Sequence, residues 1–300
     1  MTDLHVDIRY VDALGPAERN YGSYIENWWG ERYVYYENDW GVYRSDMPGA
    51  LASAATLSEI KQFAWPTVEM MSYDAIPGLC MKYGDHAIMY GFADIFTRPC
   101  NMRGFEKFLT DMYENPEYCD FMIEKMANFY IDDYTKAYEV SGNRIDIFLI
   151  MGDLSTQIAP MISLSMFDEL IAPHLKRLIE RIHELGAYVM YHSCGEAFHF
   201  YDRLIDCGVD ILDPMQRTTA NMHPENLANI FGGRTCFHGG IDVQTTLPRG
   251  TEEDVRAEVR RYIEAFKDKN GYICASAHYM QHDTPPENVL ALYDEVHKYR

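Results

Sequence analysis

Short apolar runs that stop abruptly at polar or small residues recur along the chain. Ala87 to Gly91, Ile145 to Met151, Ala187 to Tyr191, Val209 to Leu212, Thr235 to His238 and Gly271 to Ser276 have the length and apolar character of strands buried on both faces. Longer stretches between them suit helices: residues 103–112, 116–141, 166–185, about 196–206, a short one from His223, one from Thr251 to about 267, and a last one opening at Pro285. Asn115 before Pro116, Ser165, and Thr251 with its following acidic residues read as helix starts, and Gly186 and Gly208 as helix ends. Strand, polar loop and helix thus alternate about six times, which predicts βα units and parallel strands.

Upstream the pattern is weaker. Val6 to Val11 reads as a strand. Tyr33 to Tyr36 and Trp40 to Tyr43 read as a hairpin around Glu37-Asn38-Asp39. Ala55 to Lys61 predicts a short helix that Trp65-Pro66 ends, and residues 68–82 a further helix. The expected fold is an α/β, TIM (β/α)8-like barrel forming a single domain over residues 1–300. Residues 1–45 supply an irregular, aromatic-rich β cap. A doubly wound open sheet is the alternative. No G-x-G-x-x-G or P-loop opens any unit, so a nucleotide-binding fold has no support.

Composition narrows the function classes. The net charge of −20 argues against nucleic acid or an anionic membrane surface as a partner. No run of about 18 apolar residues is present to span a membrane. The seven cysteines (80, 100, 119, 194, 207, 236 and 274) are scattered, odd in number and without a C-x-x-C pair. With no signal peptide, they predict a reduced, cytoplasmic chain.

In a barrel, chemistry collects at the C-terminal ends of the strands. There the chain places Asp94; Asp153, Thr156 and Gln157; His192 and Cys194; Asp213 and Gln216; His238 and Asp242; His278 and Gln281. Some are ordinary helix caps, a reading open for Asp153 and Asp242. Side chains alternate along a strand, so His192 and Cys194 point the same way, and an imidazole and a thiol are both good zinc ligands. With His278 they make a His2Cys set on two strands, the three-ligand pattern of catalytic zinc with one position open. Cys274 lies too far upstream of His278 to join them and reads as core, as do Cys207 and Cys236. Glu196, close to the ligand pair, suits a ligand or a base, or simply a helix N-terminus. Asp242, Gln216 and His238 suit partners that hold the ligating imidazoles.

His192-Ser193-Cys194-Gly195, Gly208 to Gln216, Phe237-His238-Gly239-Gly240-Ile241-Asp242 and Asp283 to Asn288 closely resemble the uroporphyrinogen decarboxylase superfamily, from about residue 35 onward. Arg103 to Glu106 and Glu114-Asn115-Pro116 also fit. The resemblance implies a TIM barrel and one of two activities. One branch decarboxylates uroporphyrinogen without a cofactor, using an Arg-rich N-terminal motif. That motif is not found here, and the chain's N-terminus starts late, as if a segment were missing. The other branch comprises zinc methyltransferases whose His-x-Cys motif is followed by a late Cys; His192 and Cys194 match it, and His278 stands at the third position. A His2Cys set is less electron-rich than HisCys2 and so a stronger Lewis acid. On this branch the expected zinc ligands are His192, Cys194 and His278, the last a departure from the family's Cys, and Glu196 and Asp242 are the expected catalytic residues. Their strand-end positions make Asp94, Asp153, Gln157, Gln216, His238 and Gln281 the expected substrate contacts. The methyl group would pass between a small methoxylated compound or thiol and a corrinoid supplied by a partner protein, since no Asp-x-His-x-x-Gly corrinoid segment is visible. A homodimer is an open option. The rival expectations are a cofactor-free decarboxylase, and a metal- or corrinoid-binding protein without turnover.

Overall fold

The computed structural model describes residues 4–38, 41–217 and 219–299. The chain divides into two compact units. An N-terminal unit comprises Asp7–Gly152 and Ile162–Val189, and a C-terminal unit comprises Met1–Val6, Asp153–Met161 and Met190–Arg300.

In the N-terminal unit, β1 (Ile8–Val11) is followed by four antiparallel strands, β2 (Arg19–Asn20), β3 (Ile25–Glu26), β4 (Arg32–Asn38) and β5 (Gly41–Met47). These four are the expected aromatic-rich β segment, with Tyr33 opposite Asp46 and Tyr36 opposite Tyr43. Asp39 and Trp40, assigned from sequence to the turn and second arm of this hairpin, lie outside the described residues. β6 (Ala87–Asp94) pairs in parallel with β1 and with β7 (Ile147–Met151). The helix Pro116–Val140 buries Met122, Ile123, Met126 and Tyr134, and its Phe129 meets Trp28 and Trp29 ring to ring.

In the C-terminal unit, β8 (Tyr188–His192, of which Met190–His192 belong here), β9 (Ile211–Asp213), β10 (Cys236–Ile241) and β11 (Tyr272–Ser276) pair in parallel in that order. Helices Tyr201–Cys207, Pro224–Phe231, Glu252–Phe266 and Pro286–Val296 alternate with them. In each unit, parallel neighbours follow sequence order without the reversal that marks a doubly wound sheet. The architecture is α/β and TIM-barrel-like. No helix among the described residues is long and apolar enough to cross a membrane.

Several predicted boundaries move, for local reasons. The stretch 68–82 is a 3-10 turn, Val68–Met70, and a separate helix, Ile76–Lys82, because Ser72 exchanges two backbone hydrogen bonds with Leu14 and leaves the helical path. The helix expected over 103–112 is Phe105–Glu114, starting after Gly104 (φ 89°), which separates it from an unexpected helix, Thr97–Arg103. Ser163, not Ser165, accepts the capping bond, from Met166 N. The stretch expected as helix from 196 begins as a 3-10 turn at Phe198, because Glu196 N donates to Thr156 O instead of starting a helix. Thr251 and Asp254 form the expected capping box.

Candidate metal centre

The centre lies within the C-terminal unit and follows from strand register. β9 sits between β8 and β10, with His192 paired opposite Asp213. Leu212 pairs with Phe237, so the next residue of each strand, Asp213 and His238, also come side by side. Asp213 therefore ends its strand between two histidines. Its Oδ2 lies 2.5 Å from His192 Nδ1 and its Oδ1 lies 2.6 Å from His238 Nδ1. With Nδ1 so occupied, Nε2 is the atom His192 presents outward, and Cys194 Sγ lies 3.3 Å from it. His278, just past β11, completes a group whose ligand atoms all lie within 4.8 Å of one another.

The turn carrying Cys194 is held from several sides. Cys194 N donates to Asp153 Oδ1 (2.8 Å), Glu196 N to Thr156 O (2.9 Å), Leu154 N to Ser193 Oγ (3.1 Å) and Gly195 N to Gln216 Oε1. Gly195 has φ 83°, and a Cβ there would stand 2.2 Å from Thr156 O, so no larger residue fits this approach.

The charges in the site reinforce one another. Burial alone would push the Cys194 thiol up, but its hydrogen bonds with His192 and His278 outweigh burial and hold it below the ordinary thiol value. Burial opposes charge on His192, yet Asp213 and Cys194 push its pKa well above the usual imidazole value. The hydrogen bond with Cys194 raises His278. Burial opposes the charge on Asp213, but its two imidazole partners keep it well below the usual carboxylate range.

These residues fit a zinc ion on their own geometry and chemistry. Zn–N and Zn–S bonds of about 2.0 and 2.3 Å in a tetrahedron place N and S roughly 3.5 Å apart, close to the 3.3 Å between His192 and Cys194. The thiol is biased toward thiolate, and the Nδ1 partner of His192 leaves its Nε2 for a metal.

The other residues singled out from sequence do not share one place. Asp153 and Gln216 lie at the centre, where each accepts a backbone N–H of the Cys194 turn. His238 is tied to the centre through Asp213. Gln157, Gln216, Arg217 and Asp242 line an adjoining cleft of about 310 Å3. Asp242 accepts from Gln244 N (2.8 Å), Thr245 N (3.2 Å) and Thr246 N (3.3 Å), in the turn that leads into the helix Thr246–Arg249. Glu196 is buried; its Oε1 lies 3.3 Å from Asn221 Nδ2 and its Oε2 3.6 Å from His199 Nε2. Gln281 is exposed and donates to Tyr279 O at 3.3 Å. Asp94 belongs to the N-terminal unit. It accepts from Phe96 N (3.1 Å) and Thr97 N (2.7 Å), and burial raises its carboxyl to about 7. Sequence reasoning noted Asp213 as a strand end but gave it no role; its partners come from two different strands, and only the register reveals them.

A family model described as uroporphyrinogen decarboxylase (URO-D) matches residues 47–299. The uroporphyrinogen decarboxylase of Anaeromyxobacter dehalogenans (strain 2CP-C) is 24% identical over 198 residues, covering 66% of this chain and 53% of that protein. That of Ruthia magnifica subsp. Calyptogena magnifica is 20% identical over 258 residues, covering 81% of this chain and 70% of that protein. The chain thus spans about half the length of the first of these relatives. Among solved structures, a methyltransferase from Methanosarcina mazei superposes with a TM-score of 0.68 at 17% identity, over 85% of this chain and 72% of that one, a likeness of fold.

Proposed function

Because the chain belongs to the uroporphyrinogen decarboxylase family, we propose that it uses the family's barrel for zinc-dependent methyl transfer between a small methoxylated compound or thiol and a corrinoid carried by a partner protein. The observation that carries this reading is the convergence of ligand atoms from His192, Cys194 and His278 within 4.8 Å. Three protein ligands leave a fourth position for a substrate heteroatom, and zinc bound there supplies Lewis acidity toward it. The chain's own residues do the rest. Asp213 orients His192, and Asp153 and Gln216 hold the Cys194 turn. The cleft beside Gln157 and Gln216 has room for a small molecule, not for a macromolecule. Catalytic roles go to Glu196, buried two residues past Cys194, and to Asp242, which lines the cleft. The fold likeness to a methyltransferase supports this branch of the family. A reducing, cytosolic setting suits a centre that depends on the Cys194 thiolate.

The names of the relatives favour a second reading, cofactor-free decarboxylation. That chemistry requires cationic side chains to take substrate carboxylates. Arg217, which lines the cleft, is already paired with Asp242 at 3.4 Å and Glu258 at 3.2 Å.

The test is metal content of protein purified without added metal. About one zinc per chain is expected, retained by wild type and lost in both Cys194→Ala and His278→Ala. Zinc-loaded protein should then demethylate methylcobalamin in the presence of a thiol acceptor, or methylate cob(I)alamin from a methoxylated donor, read from the corrinoid spectrum. Wild type that takes up no zinc when it is supplied would overturn the proposal, and turnover of uroporphyrinogen would favour the second reading.

A further inference from the structure

One carboxylate serves two imidazoles here, and each of its oxygens faces a ring nitrogen: 2.5 Å to His192 and 2.6 Å to His238. An ionised carboxylate only accepts hydrogen bonds. At such distances a lone pair on either Nδ1 would face a negative oxygen, so both Nδ1 atoms must carry hydrogen. The conclusion follows from the two short contacts alone. Each ring then has one nitrogen left for chemistry, its Nε2. On His192 that atom faces Cys194 Sγ.

We infer that Asp213 is the positioning residue of the centre: by accepting from both Nδ1–H groups it fixes one tautomer in His192 and His238 together, making His192 Nε2 the metal donor and His238 Nε2 a second nitrogen held ready for a substrate hydrogen bond. His238 is half-buried on β10, and Phe237 before it and Ile241 at the strand's end are buried, so its ring is anchored in a rigid element. The choice of aspartate is specific. Asparagine has nearly the same shape but a single acceptor oxygen, and its NH2 would confront the second imidazole donor. The assignment of His192 Nε2 as the donor rests on the zinc reading above, whereas hydrogen on both Nδ1 atoms needs no metal.

The test uses the full chain labelled with [15N]histidine. In the metal-free protein, the two-bond nitrogen–carbon-bound-proton correlations of His192 and His238, assigned with His192→Ala and His238→Ala, should both show a hydrogen on Nδ1, whether the ring is neutral or a charged imidazolium. Asp213→Asn should switch one ring to the other tautomer while circular dichroism stays unchanged. Zinc affinity, read by competition with a chromogenic chelator, should fall about 10- to 100-fold in Asp213→Asn, the usual loss when a ligand's hydrogen-bond partner is removed. In His238→Ala, where His192 keeps its partner, it should fall less than about threefold. Cobalt-loaded Asp213→Asn should show altered visible ligand-field bands. An Nε2–H form for either ring in wild type, or wild-type tautomers in a folded Asp213→Asn, would overturn the inference. Failure of wild type to bind zinc would overturn the function proposed above and leave the tautomer result standing.

Discussion

The backbone of the Cys194 turn passes so close to the Thr156 carbonyl that a methyl group at Gly195 would collide with it at 2.2 Å. Gly195→Ala must therefore move the turn and also adopt a positive φ, a combined strain of about 1–3 kcal/mol. Its urea midpoint should drop accordingly, and because Cys194 moves with the turn, its zinc content should fall too. A variant with wild-type midpoint and wild-type zinc would show that the turn has slack. At this scale the sequence was informative wherever one strand's alternation sufficed. His192 and Cys194 announce themselves two residues apart at the end of an apolar run, and His278 stands past another. Asp213 and Gly195 do not, because what defines them comes from elsewhere: imidazoles on the strands to either side, and a carbonyl about 40 residues upstream. Asp153 and Asp242, ambiguous as caps or site residues, both proved to hold backbone N–H groups.

Elements dock by specific bonds as well as by area. On the helix Pro116–Val140, the Tyr134 hydroxyl accepts from Ala93 N (2.8 Å) and donates to Leu149 O, joining β6 and β7 to the helix. It fits only because Gly91 has no side chain: a Cβ there would lie 2.3 Å from the hydroxyl. Tyr134→Phe keeps the ring but leaves a buried N–H and a buried C=O without this partner, which should lower unfolding free energy by about 1–3 kcal/mol. Chemical denaturation checks this, and an unchanged midpoint would mean water replaces the hydroxyl. The helix itself was legible within a residue, predicted over 116–141 and observed over Pro116–Val140, since Asn115-Pro116 marks its start and its period runs unbroken. Residues 68–82 were not, because the pair of bonds between Leu14 and Ser72 is a long-range contact that no local pattern encodes.

At the scale of the molecule, a net charge of −20 makes acidity a lever on stability. Buried Asp94 titrates at about 7 in the fold, raised by burial from the ordinary 3.8 that the unfolded chain keeps. Between those values the native state holds a proton that the unfolded state has released, so stability rises as pH falls through about 7, by up to about 1.4 kcal/mol per pH unit from this group. Wild type should accordingly gain stability between pH 8 and pH 6, and Asp94→Asn should lack that portion of the gain. Equal gains in the two proteins, measured by urea titration at both pH values, would show that Asp94 stays ionised. Fold class was the most readable property of all, because six repetitions of apolar run, polar loop and helix are a global signal that survives errors at any one boundary. The division of the chain into two compact units was not readable, since the C-terminal unit draws Asp153–Met161 from between segments of the other.

That scattering has a consequence for biosynthesis. Cys194 leaves the ribosome roughly 80 residues ahead of His278. At about 5–20 residues per second, the nascent thiol waits roughly 4–16 s for its last companion. The first ligand pair is thus open to oxidants and to stray soft metals before the site that selects among them exists.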